Sequence, residues 1–309
     1  MQKIDAKELQ AELAEKFITM LESGGLPAWR QTWKTSGGSR RAGDGYLYAG
    51  INQLNLMFIS SQLGWPSIWA TAGQWINLAK SRKETYNFAG QRAQACILRP
   101  NMHKFDVDDA KAPNGKKTVV IVKSYSAYPV LNIAQVQGTE KLLESMSIGG
   151  GAKAIDTAES FIAAQGADIR HGGAEAFYAP QGDYITLPVM GDFETSESYY
   201  ATAFHELIHW TGAEKRLNRE GVAKFSGFGS PEYCYEELIA EFGACMTGAA
   251  LGVSGEHVNH ASYIASWVKR LREKPSVLTR ASTDAYKAFA SLAKAAGLSL
   301  GGETDEKAA

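Results

Sequence analysis

The chain is poor in cysteine: Cys96, Cys234 and Cys245 stand alone among 309 residues, odd in number and without paired metal-ligand spacing. That excludes a disulfide framework and a thiolate zinc finger. It leaves three packing thiols in a protein expected to be reduced and cytoplasmic. No run of about 18 apolar residues exists, so no membrane-spanning helix is expected. The opening stretch "MQKIDAKELQAELAEKFITMLESGG" lacks the apolar centre and small-residue cleavage site of a signal peptide, and reads instead as an amphipathic helix. Internal repeats and low-complexity tracts are also missing. Histidine is scarce, with six in the chain.

What is present describes a folded, soluble protein, with 45% hydrophobic and 21% charged residues. The length is large for one core and predicts two domains. Net charge is −1, which hides an asymmetry. Residues 1–140 hold 17 Lys and Arg against 11 Asp and Glu, a balance of +6; residues 141–309 hold 15 against 22, a balance of −7. Any contact with a polyanion is therefore expected in the front half.

The seam is "SMSIGGGAK", residues 145–153, read as a Gly-rich linker between a domain at 1–144 and another at 154–297, with 298–309 as a disordered tail. The front half predicts helices at 5–23, 52–63 and 71–80. Two strands follow, in "AQACILRP" and "KTVVIVKSYSAYPVLN", around a polar loop containing Pro113-Asn114-Gly115. Behind the seam, "KAIDTAESFIAAQG" predicts a helix. "AEAFYAP" and "DYITLPV" predict a hairpin turned by Pro180-Gln181-Gly182-Asp183. Helices are expected at 195–212, 231–251, 255–272 and 281–296. The fold class is α+β in two domains.

The chemistry concentrates in "AFHELIHWTG", residues 203–212. His205 and His209 are four apart, so on a helix of 3.6 residues per turn they leave the same face. Two imidazoles so placed can reach one Zn2+ ion at about 2.0–2.1 Å, with Glu206 beside them as a general base. A chance match within a buried helix is the bland alternative. The helical segment "EELIAEFGA", residues 236–244, adds Glu237 and Glu241 on one face, with Ala240, Gly243 and Ala244 allowing close packing. That segment resembles the Glu-x-x-Ala-Asp pattern of the glutamate-zincin peptidases. The resemblance implies Glu237 as third ligand and Glu241 as a support behind a ligand histidine; since Glu241 stands where that pattern has Asp, Glu241 remains an alternative ligand. His257 and His260 are rival ligands, with a surface helix face the plainer reading. Zincin clefts pair an extended substrate with an edge strand, and "DYITLPV", with Pro188, suits that role. Tyr184, Tyr199, Tyr200, Tyr235 and Tyr263 are candidates for an oxyanion-stabilising hydroxyl, with core packing the default for each.

Five of the seven tryptophans lie in the first 75 residues: Trp29, Trp33, Trp65, Trp69 and Trp75. Tyr46, Tyr48, Tyr86 and Phe88 join them, and Arg30, Lys34, Arg40, Arg41, Lys80, Arg82 and Lys83 are interleaved. Such a pattern suits single-stranded nucleic acid, where bases stack on rings for about 1–3 kcal/mol each and cations follow the phosphates. For any single tryptophan, core packing is the simpler reading. Trp33, Arg40, Arg41, Tyr46 and Tyr48 lie in a Gly/Ser-rich stretch unlike a core segment.

Taken together, "ITMLESGGLPAWRQTW", "YLYAGINQLNLMF", "YPVLNIAQVQG", "AFYAPQGDYITLP", "HELIHWTGAEKRLNR" and "YEELIAEFGA", in this order, make nearly the whole chain resemble ArdC-type antirestriction proteins of conjugative plasmids. The resemblance implies an N-terminal domain that binds single-stranded DNA, and duplex more weakly, through Trp29, Arg30, Trp33, Lys34, Arg40, Arg41, Tyr46, Tyr48 and Asn52. It implies a C-terminal zincin-like metallopeptidase domain acting on an unknown protein substrate. Protection of incoming plasmid DNA from host restriction endonucleases is the implied role. A DNA-coating protein with a structural or vestigial zincin domain is the alternative, as is a zinc peptidase acting on a host protein.

Overall fold

The computed structural model describes residues 6–22, 38–108, 116–146, 152–224, 230–253 and 261–300. The chain is α+β, and it opens with helix α1 (Ala6–Glu22). Strand β1 (Arg40–Arg41), helix α2 (Gly50–Leu63), strand β2 (Ile68–Ala70) and helix α3 (Ala72–Arg82) follow. Thr71 starts α3 with a capping box, exchanging side-chain and backbone hydrogen bonds with Gln74. Strands β3 (Ala95–Asp108) and β4 (Lys116–Asn132) then form a long antiparallel ribbon in a sheet ordered β1-β2-β4-β3. Of the two strands, β4 keeps its expected extent, and β3 runs on past the expected end at Pro100 to Asp108. That distal part, Pro100–Asp108, lies over no core, so hydrophobic alternation gave no signal for it. The expected Pro113-Asn114-Gly115 loop lies outside the described residues.

After the short helix α4 (Glu140–Met146), the back half runs through helix α5 (Ala152–Ala163) and strands β5 (Asp168–His171), β6 (Phe177–Ala179) and β7 (Tyr184–Leu187). Helices α6 (Ser196–Thr211), α7 (Glu220–Ala223), α8 (Pro231–Leu251), α9 (Ala261–Glu273) and α10 (Ser276–Ala295) complete it. Local chemistry sets the ends of the two helices that matter most. Thr195 caps α6 by accepting from the Ser198 N–H. Ser230 caps α8 ahead of Pro231 at the first helical position, and Gly252 closes it in the left-handed conformation at φ 73°.

The small sheet corrects one expectation. The hairpin of β6 and β7 forms around Pro180–Asp183, but β7 also pairs in parallel with β5, giving the order β5-β7-β6. "DYITLPV" therefore contributes the central strand, and β6 is an edge. The polar stretch "DIRH" of β5 carries no strand-like alternation, so its claim on the flank of β7 was invisible in sequence. The tail reading is also corrected in part. Residues 298–300 pack back on the body, with the Leu47 N–H donating to the Leu300 carbonyl at 3.0 Å and both Leu298 and Leu300 resting on the core. Residues 301–309 lie outside the described residues.

The core does not stop at the seam. One buried cluster joins Leu9, Leu13 and Phe17 of α1 and Leu54 and Met57 of α2 to Phe204, Phe242, Leu278 and Phe289 of the back half. Phe17 meets Phe242 edge to face at 5.3 Å between ring centroids. Each such side chain stabilises the fold by about 1.5–3 kcal/mol on burial. Helix α10 touches both α8 and α2, so the element that braces the back half also braces the front. Trp69 and Trp75 are fully buried, and their indole N–H groups donate to Ser60 Oγ and the Leu131 carbonyl; both follow the simpler core reading.

Candidate metal centre

Helices α6 and α8 cross with Gly243 against Ile208, so close that a Cβ at 243 would lie 2.6 Å from the Ile208 side chain. That approach lets acids on α8 reach the histidines of α6. His205 Nε2 and His209 Nε2 lie 3.1 Å apart. Glu237 sits beneath both, with Oε2 at 3.6 Å from His205 Nε2 and Oε1 at 3.4 Å from His209 Nε2. The donor atoms of these three buried residues all lie within 4.8 Å of one another. Two imidazole nitrogens and a carboxylate are the donor set of a catalytic-type zinc site, and the three could hold one divalent ion.

Charge within the site is concentrated and shielded. Burial works against the charged form of Glu237, but hydrogen bonds from both histidines outweigh it and hold its carboxyl far below the usual range. Burial likewise pulls His209 down, yet Glu236 and Glu237 prevail and raise it to about 10. Without metal, His209 thus carries a proton among carboxylates, in a place suited to a cation. Glu206 is buried beside the histidines, and that burial pushes its carboxyl up, towards the protonated form. The Tyr178 backbone, on the edge strand β6, acts on the Glu206 carboxyl in the opposite sense and pulls it down.

Glu241 is fully buried, and its Oε2 lies 3.8 Å from His205 Nδ1, beyond hydrogen-bond length. Behind His209 stands a different acid, Glu236, which the ligand-type spacing does not mark. Glu236 Oε1 lies 3.2 Å from His209 Nδ1, and Arg219 grips the same carboxylate from behind. The Glu236-Glu237 doublet was the available signal, since adjacent acids on a helix point about 100° apart and can serve two different groups. A second ion-pair hub, also unforeseen, lies at the hairpin turn. Asp183 accepts from Lys215, Arg216 and the Tyr178 hydroxyl, and Arg216 stacks 3.8 Å from the centre of the Trp210 ring.

The tyrosine candidates are engaged elsewhere. Tyr200 donates to Glu159 at 2.7 Å, Tyr235 donates to Asp284 at 3.2 Å, and Tyr199 bonds to His171 at 2.9 Å. Tyr184 lies under the Arg170 guanidinium. His257 and His260, and the side chain of Tyr263, lie outside the described residues.

Of the front-half candidates, Trp29, Arg30, Trp33 and Lys34 lie outside the described residues. Two others change character. Tyr48 is buried against Trp69, and its hydroxyl donates to the Trp69 carbonyl at 3.1 Å, so its ring offers no stacking face. Asn52 clamps β3, donating to the Leu98 carbonyl and accepting from the Leu98 N–H, both at 2.7 Å. Packing of Tyr48 against β2 and of α2 against β3 decides these two, and neither strand nor helix periodicity encodes either pairing. Arg40 is half-buried and donates to the Gly45 carbonyl at 3.2 Å. Arg41 pairs with Asp44 and lies 5.0 Å from the centre of the half-exposed Tyr46 ring. A second cation–aromatic pair, missed in sequence, stands on the ribbon: Arg99 lies 5.2 Å from the centre of the exposed Tyr128 ring.

Comparison with known proteins agrees with this division. Residues 7–131 match the family model described as the N-terminal domain of anti-restriction factor ArdC, and residues 156–284 match a zincin-like metallopeptidase. The metal-free crystal structure of the antirestriction protein ArdC from plasmid R388 is 31% identical. It superposes with a TM-score of 0.71 over 94% of this chain and 98% of that one. The chain belongs to the ArdC family. An ArdC-family architecture also accounts for the order of the halves. The Mn(II)-bound R388 structure matches at 29% identity with a TM-score of 0.68. Among curated relatives, the uncharacterized protein y4eC of Sinorhizobium fredii is 32% identical, covering 89% of this chain and 88% of that protein. The DNA primase TraC of Escherichia coli is 34% identical over 91% of this chain, which spans 19% of the primase. Among the described residues, no helix is long and apolar enough to cross a membrane.

Proposed function

We propose that this ArdC-family protein binds single-stranded DNA through its front half, protects incoming DNA from restriction endonucleases, and hydrolyses peptide bonds in its back half. The observation that carries the back-half reading is the convergence of His205, His209 and Glu237 beside a buried Glu206. These three residues would hold a divalent ion, with zinc best matched to a donor set of two imidazoles and a carboxylate. When bound, the ion supplies Lewis acidity that brings the pKa of water towards about 7. Glu206 takes the proton of the attacking water and delivers it to the departing amine. Its burial favours the protonated form, which suits the second of these two steps. The manganese in the R388 relative supports a divalent site.

The front-half reading is supported by the charge balance of residues 1–140, by the match to the ArdC N-terminal domain, and by the two surface cation–aromatic pairs. These are Arg41 with Tyr46, at 5.0 Å, and Arg99 with Tyr128, at 5.2 Å. Rings for stacking beside cations for phosphate suit unpaired strands better than duplex. The testing experiment uses the full chain and its Glu206→Gln variant, measuring metal content, binding to labelled single-stranded and duplex DNA, and proteolysis across a host lysate. Cleavage lost in the variant, with metal and DNA binding retained, is the expected result. A metal-loaded wild type that cuts nothing would overturn the peptidase reading; equal affinity for both DNA forms would overturn the single-strand reading.

A further inference from the structure

Arg219 and Glu236 form a buried, two-pronged ion pair. Arg219 Nε donates to Glu236 Oε2 at 2.9 Å and Nη2 donates to Oε1 at 2.6 Å. Glu236 is 1% exposed. Pairs of this kind gain little net stability, because desolvating two charges offsets their attraction. What this pair touches is more informative. Glu236 Oε1, held by Arg219, is also the atom 3.2 Å from His209 Nδ1. Arg219 reaches past it to the end of α6, where Nη2 donates to the Ile208 carbonyl at 2.6 Å and Nη1 to Thr211 Oγ1 at 2.8 Å. One guanidinium thus fixes the carboxylate and the turn of helix that carries His209.

The packing is arranged for this contact. Arg219 is the residue that leads into α7, and Gly221 presses against Glu236 so closely that a Cβ there would lie 2.7 Å from the Glu236 Cβ and 2.8 Å from the Glu232 carbonyl. Only a glycine lets α7 approach α8 at this level. We infer that Arg219 and Glu236 are positioning residues for the metal ligand His209: the carboxylate accepts the Nδ1 proton and sets the ring plane, so that the Nε2 lone pair faces Glu237 and His205. A carboxylate behind a ligand imidazole fixes its tautomer and raises its basicity, and removing such a support typically costs about 10–100-fold in metal affinity. This rests on the divalent-metal reading above.

The test is chelator competition for zinc and for manganese with the full-length protein, alongside the melting temperature of the metal-free form. Glu236→Gln keeps the volume and an acceptor oxygen but loses the charge; it should weaken metal binding by about 10–100-fold. Arg219→Met should weaken it in wild type and add little in the Glu236→Gln background, because it acts through that carboxylate. A role confined to stability would lower the metal-free melting temperature and leave chelator competition unchanged; that result would overturn the inference. Should Glu236→Gln fail to fold, Gly221→Ala carries the test, since it displaces Glu236 without altering charge; unchanged affinity there would equally overturn it. Wild type that binds neither metal would instead overturn the metal reading.

Discussion

His205 Nε2 and His209 Nε2 stand 3.1 Å apart, each aimed at the same carboxylate of Glu237. Two ligand nitrogens at tetrahedral angles and about 2.0–2.1 Å from one ion would be separated by about 3.3 Å. The side chains therefore need to move only a few tenths of an ångström to accept one, and that preorganisation underlies the first expectations.

Purified protein should bind about one divalent ion per chain. His205→Ala and His209→Ala should each abolish it, and Glu206→Gln should retain it, as read by elemental analysis after dialysis. A metal-replete His209→Ala protein would refute the assigned donor set.

Metal binding near pH 7 should release about one proton, because His209 is raised to about 10 in the metal-free site and must bind as neutral imidazole. Calorimetry in two buffers of different ionisation enthalpy measures the count. Affinity should fall as pH decreases, the direction expected when a proton competes with the ion.

Asp183 should contribute to stability in a pH-dependent way. Hydrogen bonds from Arg216 outweigh the desolvation of its carboxyl and hold it well below the ordinary carboxylate value. Its contribution is thus full above pH ~4 and is lost as pH falls through the depressed folded value. At this partly exposed site, Asp183→Asn should cost about 1 kcal/mol at pH 7 after screening, with the difference from wild type shrinking in acid. Denaturant titrations at pH 7 and pH 3 give both numbers.

For DNA, Tyr46→Ala should weaken single-strand binding by about 1–3 kcal/mol with little change in salt slope. Arg41→Ala should flatten the slope by about 0.7 if it meets one phosphate. Tyr48→Ala should act differently: a buried ring is removed, so about 3–5 kcal/mol of stability is lost rather than a stacking contact. Salt titrations by fluorescence anisotropy, paired with melting curves, separate the cases.

Because Phe17 packs on Phe242, the two halves should unfold together. Phe17→Ala should destabilise both by about 3–5 kcal/mol in a single transition. A fragment ending at residue 144 would expose the faces of α1 and α2 that face α9 and α10, and should bind a hydrophobic dye such as ANS. Two separate calorimetric transitions in the intact chain would argue against the shared core.

The sequence by itself determined what depends on near neighbours. The four-residue spacing put His205 and His209 on one face, and the Pro180–Asp183 turn joined β6 to β7. Each is a contact between residues a few positions apart, so helix pitch and turn geometry are enough to read it. Only the tertiary structure decided which of three acids on α8 meets which histidine, because Glu236, Glu237 and Glu241 differ in sequence only by rotation about one helix. It also decided that β7 is flanked on both sides, that Tyr48 and Asn52 serve the core, and that α1 belongs with the back half. Those outcomes hinge on which surfaces bury one another across long stretches of chain. Hydrophobic periodicity identifies a buried face but carries no information about the element that covers it.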